Sequence, residues 1–161
     1  MKIWKKVLLG VIFVCMAILG HAASPTKYKC LVQMTNYVGE GAYITVSLIG
    51  PEGNYLKTLS VLGEDTKWYD TLEKWYGFYK KSGQKIDGIT GASVSGGART
   101  VLAFELNEEV INKGYKLRFE SAVENNQYHQ KDVEVKLNES DMSGQIDGQG
   151  YIRFVRILQV K

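Results

Sequence analysis

Apolar residues recur at every second position over most of the chain and on a helical period in one place. Residues 28–34 form a first candidate strand. Tyr43–Ile49 alternates cleanly, with Ile44, Val46 and Leu48 on one face. Gly50-Pro51-Glu52-Gly53-Asn54 holds the residues that tight turns demand, and residues 55–61 return as the next strand. Further along, Leu102, Phe104 and Leu106 share a face, as do Val133, Val135 and Leu137. Residues 115–123 give the clearest alternation, placing Tyr115, Leu117, Phe119 and Val123 inward and Lys116, Arg118 and Glu120 outward. Residues 151–160 make the last strand. The stretches 107–114 and 138–150 are polar, turn-like connections. About seven short strands separated by turn signals predict a mostly β fold, an antiparallel β-sandwich.

The period changes between Asp65 and Gly83. Asp65 or Thr66 is suited to cap a helix, and Trp68, Leu72, Trp75, Tyr76 and Tyr79 follow at helical spacing on one mostly aromatic face. Lys67, Asp70, Glu73, Lys74, Lys80 and Lys81 lie largely off that face, and Gly83 can end the helix. Such a stripe either covers the β domain, with both tryptophans in the core, or forms a wall beside the loop that follows. The two roles are compatible, because a tryptophan can be largely buried and still present an edge.

Composition matters once the first 22 residues are set apart. Lys2, Lys5 and Lys6 make a basic start, residues 7–19 are uncharged and apolar, and Gly20-His21-Ala22 supplies the small residues of a cleavage site. This predicts a secretory signal at residues 1–22 and one exported, periplasmic domain over residues 23–161. An uncleaved anchor is the alternative. The whole chain is net +3, with 20 basic and 17 acidic residues. Loss of the three signal lysines leaves a balanced domain, so no basic stripe points to nucleic acid. The remaining chain has one cysteine, Cys30, and one histidine, His129. One cysteine forms no internal disulfide, and the two residues together make no zinc cluster. Cys30 reads as a half-buried strand residue and His129 as a solvated loop histidine.

The chemistry-bearing stretch is the segment after the helix, Asp87-Gly88-Ile89-Thr90-Gly91-Ala92-Ser93. Gly91 opens backbone angles closed to other residues, Ala92 adds no bulk, and Ser93 is an alcohol able to form an ester. Asp87 is placed to cap the turn or to touch a metal held by a partner enzyme. The plain alternative is a glycine-rich connection between helix and strand. The pattern Asp, two free positions, Thr, Gly, Ala, Ser resembles the site at which FAD:protein FMN transferases attach FMN to a hydroxyl. That resemblance makes Ser93 the covalent FMN acceptor, with Asp87, Thr90, Gly91 and Ala92 completing the motif. Trp68, Trp75 or Tyr79 would stack on the flavin ring, and Arg99 or Lys85 would offset the phosphate charge.

The order of pieces along residues 43–155 also resembles a bacterial family of predicted periplasmic proteins, a domain of unknown function. Those pieces are Tyr43-Ile44-Thr45-Val46, Lys57-Thr58-Leu59, Lys67-Trp68 with Trp75, the loop from Asp87 to Ser93, and Gly114-Tyr115-Lys116-Leu117-Arg118-Phe119-Glu120. Val94-Ser95-Gly96 departs from the Arg and Pro that often follow the motif in the family. This resemblance implies an immunoglobulin-like sandwich with one inserted amphipathic helix. It further implies a role near extracytoplasmic flavin electron transfer, beside a PepSY-type membrane reductase and the FMN transferase. The expectation is an electron carrier rather than an enzyme. The alternative is a non-catalytic sandwich module that scaffolds a redox partner. A hydrolase has little support, with one histidine and no nucleophile elbow.

Overall fold

The computed structural model describes residues 24–160, so the predicted signal at residues 1–22 lies outside the described residues. Among the described residues, nine strands form two sheets. They are β1 (Thr26–Met34), β2 (Tyr43–Ile49), β3 (Tyr55–Leu62), β4 (Thr90–Gly91), β5 (Arg99–Leu106), β6 (Lys116–Ala122), β7 (Tyr128–Lys136), β8 (Gln145–Asp147) and β9 (Ile152–Gln159). One sheet has the order β5-β1-β9-β8 and the other β4-β3-β2-β6-β7. Every pairing is antiparallel except the two-residue contact of β3 with β4. The result is the mostly β sandwich expected from the alternation, in keeping with the immunoglobulin-like form that the family resemblance implies.

The inner faces meet in one core. Val32 and Met34 of β1, Ile44 and Val46 of β2, Leu117 and Phe119 of β6, and Val155 of β9 have no exposed surface. Each such side chain contributes about 1.5–3 kcal/mol relative to exposure, which selects the register in which all of them point inward. Cys30 is fully buried here rather than half-buried, and its thiol is pushed up to about 12 by burial. It behaves as a small apolar filler.

The five-stranded sheet is covered on its outer face as well. The segment after β3 does not make one helix. A 3₁₀ helix runs over Thr66–Thr71, and α1 (Glu73–Ser82) starts after a break at Leu72, whose ψ is 60°. Asp65 caps the first through a bond accepted from the Lys67 amide at 3.1 Å, and Gly83 ends the second in the left-handed region at φ 63°. Three residues per turn in the 3₁₀ segment put Tyr69 and Leu72 on one face, so Tyr69, not Trp68, enters the core. Trp68 is half-buried under the Lys67 ammonium, which lies 5.1 Å from its ring. Only Trp75 of the two tryptophans is fully buried.

This cover changes the meaning of the outward positions on β6. Arg118 and Glu120 point away from the sandwich core, as the alternation requires, but are 5% and 0% exposed because α1 and its neighbours lie over them. Period-two patterning assigns a face and says nothing of what packs on it. Three further differences are local. His129 sits in β7 with its ring edge-on to Tyr151 at 5.1 Å, not in a loop. The polar stretch after Leu137 folds α2 (Glu139–Met142), capped by Asn138, and the short β8. Asp132, 1% exposed, accepts from the amides of Gln149, Gly150 and Ile152 at 2.7–2.9 Å and from the Ser121 hydroxyl, which holds the connection into β9.

Candidate functional site

The segment after α1 runs along the free edge of β3. Gln84 begins it by mimicking a strand partner, accepting from the Thr58 amide at 2.9 Å and donating to the Thr58 carbonyl at 2.6 Å. Asp87–Ile89 makes one 3₁₀ turn. Ile86, not Asp87, holds the cap position of that turn, and Asp87 is exposed. Thr90 and Gly91 then pair with Val61 and Leu62, and Gly63 donates to the Gly91 carbonyl at 2.6 Å. The Thr90 hydroxyl is occupied, donating to the Ile86 carbonyl at 2.9 Å.

Three residues on, at Val94, the chain is clasped again. The amides of Ala42 and Val94 donate to each other's carbonyls at 2.8 and 3.0 Å. Tyr37 locks this bridge, its hydroxyl accepting from the Ala42 amide at 2.8 Å and donating to the Val94 carbonyl at 2.7 Å. Gly96 passes so close to Tyr37 that a Cβ there would lie 2.0 Å from the Tyr37 carbonyl oxygen. Ala92 and Ser93 sit between these two fastenings and are exposed. Among the described residues, none hydrogen-bonds to the Ser93 hydroxyl. Of the two hydroxyls in the motif, Thr90 is therefore spent on the backbone and Ser93 is free.

A cavity of about 320 Å³ opens beside the loop, lined by Asp87, Thr90 and Ile86 of the segment, Tyr79 of α1, and Glu64, Thr66 and Tyr69. The Tyr69 hydroxyl donates to the Gly63 carbonyl at 3.1 Å, and burial pushes its pKa up. Tyr79 stacks on Trp75 with ring centroids 5.1 Å apart and planes 8° from parallel. Trp75 thus backs the wall while Tyr79 presents it. Trp75 itself has no exposed surface to offer a ring, and Trp68 does not line this cavity. Arg99 lies at the start of β5, where its Nε donates to Gln33 Oε1 at 3.0 Å. Lys85 lines a separate cleft of about 540 Å³ together with Lys27, Lys29 and Lys57 over Leu59 and Phe104. The structure thus brings Asp87, Thr90 and Tyr79 to one cavity, and sends Trp68, Arg99 and Lys85 elsewhere. Sequence reasoning passed over Tyr37, Glu64 and Tyr69, because the residue type alone does not mark which side chains folding brings against the segment.

Beneath α1 lies a second polar group that the alternation hid. Glu120 accepts from the Tyr55 hydroxyl at 2.5 Å and from the Tyr128 hydroxyl. Tyr128 in turn accepts from the Lys74 amide at 3.2 Å, and Tyr55 stacks on Phe78 with centroids 5.4 Å apart. Both tyrosines tie α1 to the buried carboxylate. Burial raises the Glu120 carboxyl above its ordinary value against the pull of these bonds and of Arg118, and pushes Tyr55 up to about 12. Arg118 pairs with Glu134 at 2.9 Å.

Two sheets, with a hydroxyl-bearing segment along one sheet edge and an aromatic helix over the outer face, define a mostly β sandwich domain. The chain belongs to the family of predicted periplasmic proteins DUF2271, which matches residues 25–154. No curated protein and no solved structure matches it. Among the described residues, no helix is long and apolar enough to cross a membrane.

Proposed function

We propose that this exported domain carries FMN covalently on Ser93 and serves as an electron carrier. The observation that supports the reading best is the state of the Ser93 hydroxyl, exposed and unengaged on a segment fastened at both ends. A protein substrate of a modifying enzyme needs such a group, held still and reachable. The residues present fit the cofactor in two respects. Ser93 supplies the alcohol, and Tyr79 lines the cavity shared by Asp87 and Thr90 of the motif, a cavity that Ser93 itself does not line. Asp87 and Glu64 give that cavity acidic residues and no lysine or arginine, so the phosphate charge is left to solvent.

In the attachment step, Ser93 Oγ loses its proton to the transferase and forms a bond to the FMN-side phosphorus of FAD. The pyrophosphate bond breaks and AMP leaves. Once attached, the flavin supplies the redox chemistry, and the protein sets its position and surroundings. A separate FMN transferase installs the group, and a PepSY-type membrane reductase is the proposed electron partner. The domain itself is a carrier and not an enzyme.

The test is co-expression of the exported protein with an active transferase. The expected result is a fluorescent band that survives denaturation, is lost in Ser93→Ala and is kept in Ser95→Ala. A protein that stays colourless with transferase and FAD present overturns the carrier reading and leaves a binding module.

A further inference from the structure

Gly41 is not part of the motif and lies far before it in the chain, yet it faces the motif's last residue, Ser93. A methyl group at position 41 would stand 2.5 Å from Ser93 Oγ, 3.0 Å from its Cβ and 3.4 Å from its carbonyl carbon. The first two distances are well inside van der Waals contact. Ser93 has little freedom to retreat, since the next residue, Val94, is bonded in both directions to Ala42, the neighbour of Gly41. Tyr37 fastens that same bridge.

We infer that Gly41 is a positioning residue for modification of Ser93: its missing side chain is the space that the Ser93 hydroxyl occupies and through which it is reached. Any side chain at position 41 turns the hydroxyl away or covers it. The recognition element for the modifying enzyme is then two-stranded, made of the 87–93 segment and the backbone at Gly41. This rests on the proposed modification of Ser93, but the contact itself is testable without flavin.

Two measurements separate the two ideas. In the first, Ser93→Cys is made with and without Gly41→Ala, and the thiol is titrated with a disulfide reagent under native conditions. The expected result is a fall in rate of about tenfold or more in the double variant, with the denatured rates equal. Equal native rates overturn the inference. In the second, the wild type and Gly41→Ala are labelled by the transferase with FAD. A reacting atom displaced by about 1 Å loses up to roughly a hundredfold in rate, so labelling of Gly41→Ala should fall by tenfold to a hundredfold. Labelling at the wild-type rate overturns the inference, while no labelling of either protein overturns the carrier reading and leaves the thiol result to decide on Gly41. Thermal unfolding checks that the fold is kept. If Gly41→Ala melts early, adding Ser93→Ala should restore part of the loss by removing the nearest atom. No recovery in that double variant also counts against the contact.

Discussion

Replacing each tryptophan of the helical segment by alanine should give two very different proteins. Trp75 has no exposed surface. Its Nε1 donates to Thr58 Oγ1 at 2.9 Å, and its ring meets Tyr69 edge-on at 5.2 Å and stacks on Tyr79 at 5.1 Å. Truncation of a buried tryptophan costs about 3–5 kcal/mol. Leaving Thr58 Oγ1 without a partner adds about 1–3 kcal/mol where the cavity stays dry. A domain of this size is stable by about 5–15 kcal/mol, so Trp75→Ala removes a large fraction of the total. Trp68 is half-buried, and its one aromatic contact of note is Lys67 at 5.1 Å. An exposed cation–π pair contributes about 0.5–1 kcal/mol, so Trp68→Ala should cost about 1 kcal/mol. Urea unfolding followed by far-ultraviolet circular dichroism measures both, with near-ultraviolet signals reporting the aromatic cluster. Trp75→Phe should fall between, keeping most of the packing and losing the bond to Thr58. Equal losses for Trp68→Ala and Trp75→Ala would refute the break at Leu72 and restore a single helix with one continuous face.

Two further outcomes follow from the buried carboxylates. The folded-state value of Glu120 is raised, so the folded protein holds this proton more tightly than the unfolded chain, whose ordinary value is 4.5. Its contribution is fully present below that value and is lost as pH rises through the raised one. Glu120→Gln, which does not ionise, should therefore gain on the wild type as pH rises above 4.5, and matching stability–pH profiles in urea would count against the burial of this group. Asp132→Ala should strip the acceptor from three amides in the connection into β9 and destabilise by about 3 kcal/mol or more, with faster hydrogen exchange at Gln149, Gly150 and Ile152. Exchange unchanged at those three amides would show that other groups hold the connection.

Alternation along the chain determined most of the sandwich by itself, because period two admits only one way of burying Ile44, Val46, Leu117, Phe119, Val133 and Val135 together. Turn chemistry at Gly50–Asn54 and the caps at Asp65 and Gly83 were legible for the same reason: each acts on its own neighbours. The motif from Asp87 to Ser93 was legible as a pattern of residue types, and the family extends over it. What the local pattern did not contain is every relation set by packing. The aromatic stripe predicted Trp68 in the core, but a 3₁₀ turn rotated Tyr69 into that place. Arg118 and Glu120 read as solvent-facing, and only the docking of α1 on the outer face buried them. Ser93 was named from its neighbours in sequence. Its exposure, the clasp of the next residue, Val94, by Ala42 and Tyr37, and the space left by Gly41 arise where distant segments meet, at separations over which no periodicity carries information.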